Sequence, residues 1–201
     1  PRANQQLYSQ SFDSLSAGDL AGWGRGYFVG DALDWRGTVA CNSRSSPNSF
    51  RYGGSSANCT TPYGVSKWAL AWPGGSTGIT VPPGTQTSRL SFWHRWDFEV
   101  SGSSYRDGAM LVLSLDGATF LQVPASAIVS GTAYNRTIAD GGSCTPSGAK
   151  NRQAWGGTQT TYQNTVVDLD VVCNLITGGT DGCAGQAIRI DRDGQLDGPG
   201  Q

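Results

Sequence analysis

The chain has 201 residues, 37% of them hydrophobic but only 14% charged, with a formal net charge of −1. That balance excludes a nucleic-acid protein built on a basic face, and no apolar run approaches the roughly 20 residues a membrane-spanning helix needs. Solubility falls to Ser, Thr, Asn and 29 Gly residues, a composition of exported β proteins, and about 200 residues suits one all-β domain.

In chain order, the polar Pro1–Gln6 reads as the start of a processed chain. Leu7 to Phe12 alternates weakly. Ser66 to Trp72 places Trp68, Leu70 and Trp72 on one face, and Gly78 to Val81 is short and β-branched. The longest two-sided strand is 90–100. Leu90, Phe92, Trp96, Phe98 and Val100 share one face, and Ser91, Trp93, Arg95, Asp97 and Glu99 share the other. Met110 to Leu115 is almost wholly apolar, as in a strand covered on both faces. Asp116-Gly117 turns it into Thr119 to Val123. Thr165 to Val172 and Ala187 to Ile190 read as later strands. No stretch longer than two turns has a helical period. Two polar, Gly-rich loops, 41–64 and 139–164, either bind or merely cap the ends of the sheets.

Many short strands with Gly-rich turns predict an all-β fold. The expected form is a jelly-roll or concanavalin-like β-sandwich of two antiparallel sheets with long disulfide-bearing loops. One domain over 1–190 and a polar Gly/Asp-rich tail over 191–201 complete the layout. The five cysteines form no Cys-x-x-Cys pair, and a single His leaves no ordinary zinc cluster. Local plausibility pairs Cys41 with Cys59 and Cys173 with Cys183, each worth about 3 kcal/mol. Cys144 is left over, and the compartment is expected to be oxidising and extracellular.

Asp97 and Glu99 lie two apart on one strand, about 7 Å between α-carbons, which overlaps the separation of a glycosidase acid/base pair. Arg95 on the same face can pair with either, and Ser91 and Trp93 occupy positions where a third acid would be expected. His94 falls on the apolar side and reads as a hydrogen-bonded core residue. No nucleophile elbow, zinc-protease motif or phosphate loop is present. Asp13, Asp19, Asp31, Asp34, Asp107 and Asp181 sit at loop or strand ends, where calcium finds oxygen ligands; the 191–198 stretch is a weak, single calcium-like loop. Trp93, beside Arg95 on the polar face, could stack on a sugar ring or a partner side chain. Trp155, in Gln-Ala-Trp-Gly-Gly, is the candidate surface Trp of a loop. The sequons at Asn58 and Asn135 read as chance occurrences.

Ser11-Phe12-Asp13 with Gly22-Trp23, Phe50-Arg51-Tyr52-Gly53-Gly54, the 90–99 strand, Asp107-Gly108 with Ser114-Leu-Asp-Gly117, and Asn164 to Asp170 with Cys173 and Cys183 carry a resemblance. Together they are similar to the MAM-like jelly-roll modules of secreted bacterial proteins, which accompany immune-inhibitor-A-type metalloproteases. The resemblance implies a non-catalytic extracellular module for adhesion or for support of a neighbouring domain. Its target would be a glycan or protein surface, with structural calcium at Asp13, Glu99 and Asp107. One departure is the closing strand of such modules, Gly-Trp-Phe-Leu-Asp-Asp-Val. Here Ala187–Ile190 passes into the polar tail, leaving an open sheet edge. Two other classes stand beside it. One is a carbohydrate-active enzyme using Asp97 and Glu99. The other is a structural subunit completing its sheet with a neighbour's strand, through the tail and Cys144.

Overall fold

The computed structural model describes residues 4–13, 22–29, 35–39, 43–45, 48–52, 67–73, 78–98, 100, 102–139 and 149–196. Among them the chain is mostly β. The largest sheet is antiparallel and joins β1 (Gly24–Val29), β4 (Lys67–Trp72), β13 (Ala187–Leu196), β7 (Gly108–Ser114) and β8 (Leu121–Gln122) in that order, with β5 (Ile79–Thr80) on the start of β13. A second sheet joins β6 (Arg89–Asp97), β12 (Thr158–Asp168) and β9 (Ile128–Ser130). Two further ladders pair β2 (Trp35–Val39) with β3 (Asn48–Tyr52), and β10 (Arg136–Thr137) with β11 (Gln153–Ala154). No helix among the described residues is long and apolar enough to cross a membrane.

The apolar run in β7 is buried along its whole length, as its composition predicts. Ala109, Leu111 and Leu113 join Ile188 and Ile190 of β13, Trp96 of β6 and Val167 of β12 in one cluster. Both large sheets thus feed the same core. From the opposite face of β7, Met110 and Val112 meet Ile138 and Ala154 of the β10–β11 region. A third, smaller cluster sets Ala71 of β4 against Trp23 and Phe50, with Phe12 stacked on Phe50 at 5.4 Å. Gly131, directly after β9, has φ +84°, and a Cβ there would fall on the Asn164 carbonyl. Only glycine meets both demands.

The Asp116-Gly117 turn forms as expected. The Asp116 carboxylate accepts from the Thr119 and Ala118 N–H groups at 2.7 and 2.8 Å and from the Ser114 hydroxyl at 2.9 Å. The backbone N–H of Thr119, then that of Ala118, then the Ser114 hydroxyl hold its acidity well below the usual carboxylate range. A depressed native pKa contributes stability that is complete above the unfolded value, about 3.9, and is lost as pH falls below it. Urea midpoints followed from about pH 5 to about pH 2 are therefore expected to drop further in the wild type than in Asp116→Asn. Equal slopes for the two proteins would refute this role. The effect is modest, since the side chain is exposed and salt screens it.

Several expectations are corrected. Leu7 to Phe12 forms no strand. The strand expected over 165–172 ends at Asp168, and Leu169–Thr177 is a helix, α1. Asp168 caps it by accepting from the Asp170 N–H at 3.1 Å, Gly178 closes it in the left-handed region, and Leu169, Val172 and Cys173 form its buried stripe. A run of β-branched residues masked that helical spacing. The 139–164 loop is interrupted by β11 and by the first seven residues of β12. The tail does not begin at Ile190 either. β13 continues to Leu196, paired with β7 on one side and with β4 on the other. Ladder bonds run between backbones, so the polar Asp191-Arg-Asp193 does not end the strand. After Ile190 the strand thus pairs with β7 as far as Gln195 and with β4 from Gly194 to Leu196.

Cys173 and Cys183 are joined, with a Cα separation of 5.2 Å. Cys41, Cys59 and Cys144 lie outside the described residues.

Candidate functional site

The site expectations converge on β6, whose two faces differ sharply. Its inner face carries Leu90, Phe92, His94 and Trp96, opposite Val167, Thr165, Gln163 and Gln159 of β12. His94 is buried, with its ring centroid 4.7 Å from Phe92, 4.9 Å from Trp96 and 4.5 Å from Trp155. Its Nε2 lies 2.9 Å from the Thr165 Oγ1. The Thr165 hydroxyl reaches the Thr132 carbonyl at 3.4 Å, and the Trp155 indole N–H donates to that same carbonyl at 2.9 Å. Which of the two donates in the His94–Thr165 pair is set by the imidazole tautomer. His94 is thus a buried, hydrogen-bonded core residue, as the alternation along the strand implies.

Trp155 belongs to that core. The expectation of a surface Trp is overturned, for Trp155 is 0% exposed. It forms an isolated bridge with Ala109 of β7 and packs on Tyr134 at 4.6 Å. The glycines after it mark a close approach of backbones: Gly156 is bracketed by Asn135, whose Oδ1 accepts from its N–H at 2.9 Å and whose Nδ2 donates to its carbonyl at 3.2 Å. Asn135 therefore spends its carboxamide on folding, in keeping with a chance sequon.

The outer face presents Arg89, Ser91, Trp93, Arg95 and Asp97, set against Asp168, Val166, Asn164 and Thr158 of β12. Trp93 is 46% exposed on this face. The Arg44 guanidinium lies 4.0 Å from the centre of its ring, a cation–π contact. Ser91 donates to the Asn164 side-chain oxygen at 3.3 Å. Arg95 does not pair with Asp97 as expected. It donates to the Thr160 carbonyl at 3.4 Å, and Asp97 accepts from the Thr158 hydroxyl at 2.7 Å. Neighbouring strand positions offer each group a nearer partner across the ladder than along it. Glu99, the second member of the acid/base hypothesis, lies outside the described residues.

Of the carboxylates named for calcium, Asp13 and Asp107 are described and Glu99 lies outside the described residues. Asp13 accepts from the Ser45 hydroxyl at 2.6 Å, beside the Phe12–Trp23–Phe50 cluster. Asp107 is fully buried just before β7, with its carbonyl against Gly156. The described residues hold no group of three His, Cys, Asp or Glu side chains placed to bind an ion.

Arg44 is the residue that sequence reasoning missed. The loop expected over 41–64 is interrupted by β3, and Arg44 sits between β2 and β3 with no periodic pattern to place it, so that only the folded chain brings it over Trp93. In comparisons with protein-family models, with curated proteins and with solved structures, nothing matches this chain.

Proposed function

We propose that the chain is a non-catalytic extracellular binding module, a β-sandwich of the MAM-like jelly-roll type whose outer β6 face recognises a glycan chain. One observation carries the reading: an exposed Trp93 on an otherwise polar sheet face, with a guanidinium over its ring. Even with Arg44 over its ring the indole keeps apolar surface in water, which a sugar packed against that remaining surface would cover. The hydroxyls and amide of Ser91, Asn164 and Ser130 surround it with donors and acceptors of the kind that sugar hydroxyls meet. A disulfide in a chain with so few charges supports an oxidising compartment. Calcium forms no part of the reading.

Affinity electrophoresis against a panel of soluble polysaccharides tests it. Trp93→Ala is expected to abolish the retardation seen with the wild-type protein, while the urea midpoint moves by less than about 0.5 kcal/mol, as for other exposed substitutions. Retardation that Trp93→Ala leaves intact, or none with any polysaccharide, overturns the reading. Release of reducing ends that Asp97→Asn abolishes would replace it with a glycoside-cleaving enzyme.

A further inference from the structure

We infer that the glycan taken by this face is anionic, and that one of its carboxylate or sulfate groups seats on the outward N–H edge of Arg44. The inference rests on the binding function proposed above and specifies the class of ligand.

The Arg44 guanidinium carbon lies over the Trp93 ring, 4.0 Å from its centre. A guanidinium stacked on a ring keeps its N–H donors in its own plane, directed away from the ring, in the fork that matches a carboxylate or sulfate. Among the described residues no carboxylate is paired with Arg44, Arg89 or Arg95. The latter two stand on the same face as Trp93, about 20 Å apart along the strand with Trp93 between them.

Among the described residues this face carries two carboxylates, and each has a partner of its own. Asp97 accepts from the Thr158 hydroxyl. Asp168 caps α1, where the positive end of the helix offsets its charge. What is presented outward is therefore an aromatic platform with three cations spaced along it. A neutral sugar chain would satisfy the platform and bring the cations no anionic partner. A linear acidic polysaccharide satisfies both. The small polar side chains around Trp93 suit sugar hydroxyls better than the apolar anchors of a protein partner. With a net charge of −1 the chain lacks the overall field that draws in nucleic acid.

The test uses the whole chain and measures binding by titration calorimetry. The probes are heparin for sulfate, polygalacturonate for carboxylate, dextran and laminarin as neutral chains, and polyglutamate as an anionic chain without sugars. Heparin or polygalacturonate is expected to bind, more weakly as salt rises, and the neutral chains not to bind. Arg44→Gln is expected to weaken binding about tenfold or more, the usual consequence of losing hydrogen bonds to a charged group. Arg44→Lys, which keeps the charge but loses the fork, is expected to recover only part of the affinity. Arg44 is exposed, so an unchanged thermal midpoint verifies the fold of both variants. Equal binding of neutral and acidic glycans, lost in Trp93→Ala but indifferent to Arg44→Gln, overturns the inference and leaves the binding module standing. Polyglutamate binding as tightly as the acidic glycans also overturns it. Binding of no glycan at all sinks both.

Discussion

Trp155→Ala is expected to destabilise the protein by about 3–5 kcal/mol, the usual cost of deleting a large aromatic side chain from a core. Trp155 is fully buried, and its ring lies within 6.2 Å of Phe92, His94, Trp96 and Tyr134. Removing it opens a cavity bordered by four rings, and the sheets on either side cannot close onto it without breaking ladder bonds. The Thr132 carbonyl also loses a donor and retains only the Thr165 hydroxyl at 3.4 Å. Against a total stability of about 5–15 kcal/mol, this threatens folding itself, so Trp155→Phe is the companion variant. It keeps most ring contacts, loses the indole N–H, and is expected to fall between the wild type and Trp155→Ala. Denaturant midpoints at constant m-value measure both. A cost below about 1 kcal/mol for Trp155→Ala, the level of a surface substitution rather than a core cavity, would contradict the packing described for this residue.

The second large effect is expected from the disulfide. Cys173 and Cys183 close a loop with a sequence separation of 10, for which the chain-entropy model gives about 3 kcal/mol. The double variant Cys173→Ala/Cys183→Ala is expected to lose about 2–4 kcal/mol. Alanine is the suitable replacement because both sulfurs are buried, and a serine hydroxyl would need a partner there. The fold around α1 should nevertheless survive. Asp170 accepts from the Cys183 N–H and from the Ser88 N–H, each at 2.9 Å, which ties the first turn of the helix to two other segments without the sulfurs. Far-ultraviolet circular dichroism of the variant should thus match the wild type at low denaturant while the midpoint falls. Loss of the helical signal in water would show that the disulfide, rather than Asp170, holds α1.

Legibility from sequence followed the strength of local pattern. The 90–100 run, with period two, yielded the strand as far as Asp97 and the burial of His94, because alternation on a half-buried strand is a local property, whereas Val100, expected on the inner face, is 43% exposed. The apolar 110–115 run and the Asp-Gly turn were legible for the same reason. Pattern failed where two readings share residues. Val166, Val167, Val171 and Val172 look like strand on propensity alone, and only the Asp168 cap and the Gly178 stop divide β12 from α1. It failed again at Asp191-Arg-Asp193. Those residues form no apolar face, yet they lie in a strand flanked on both sides by others.

Trp93 and Trp155 show the same division at single-residue scale. For Trp93, position on the polar side of an alternating strand was enough to place it outside. Trp155 sits between Gly-rich segments with no alternation to orient it, and its burial depends on Phe92, His94, Trp96 and Tyr134 arriving from other elements. Composition and period by themselves determined a low-charge, antiparallel β protein, the two faces of β6 and one disulfide. Which face of that strand is covered by what, the pairing that carries β13 to Leu196, and the placement of Arg44 over Trp93 were decided by tertiary structure alone. Each depends on contacts between residues far apart in the chain, and local sequence carries no energy term for those.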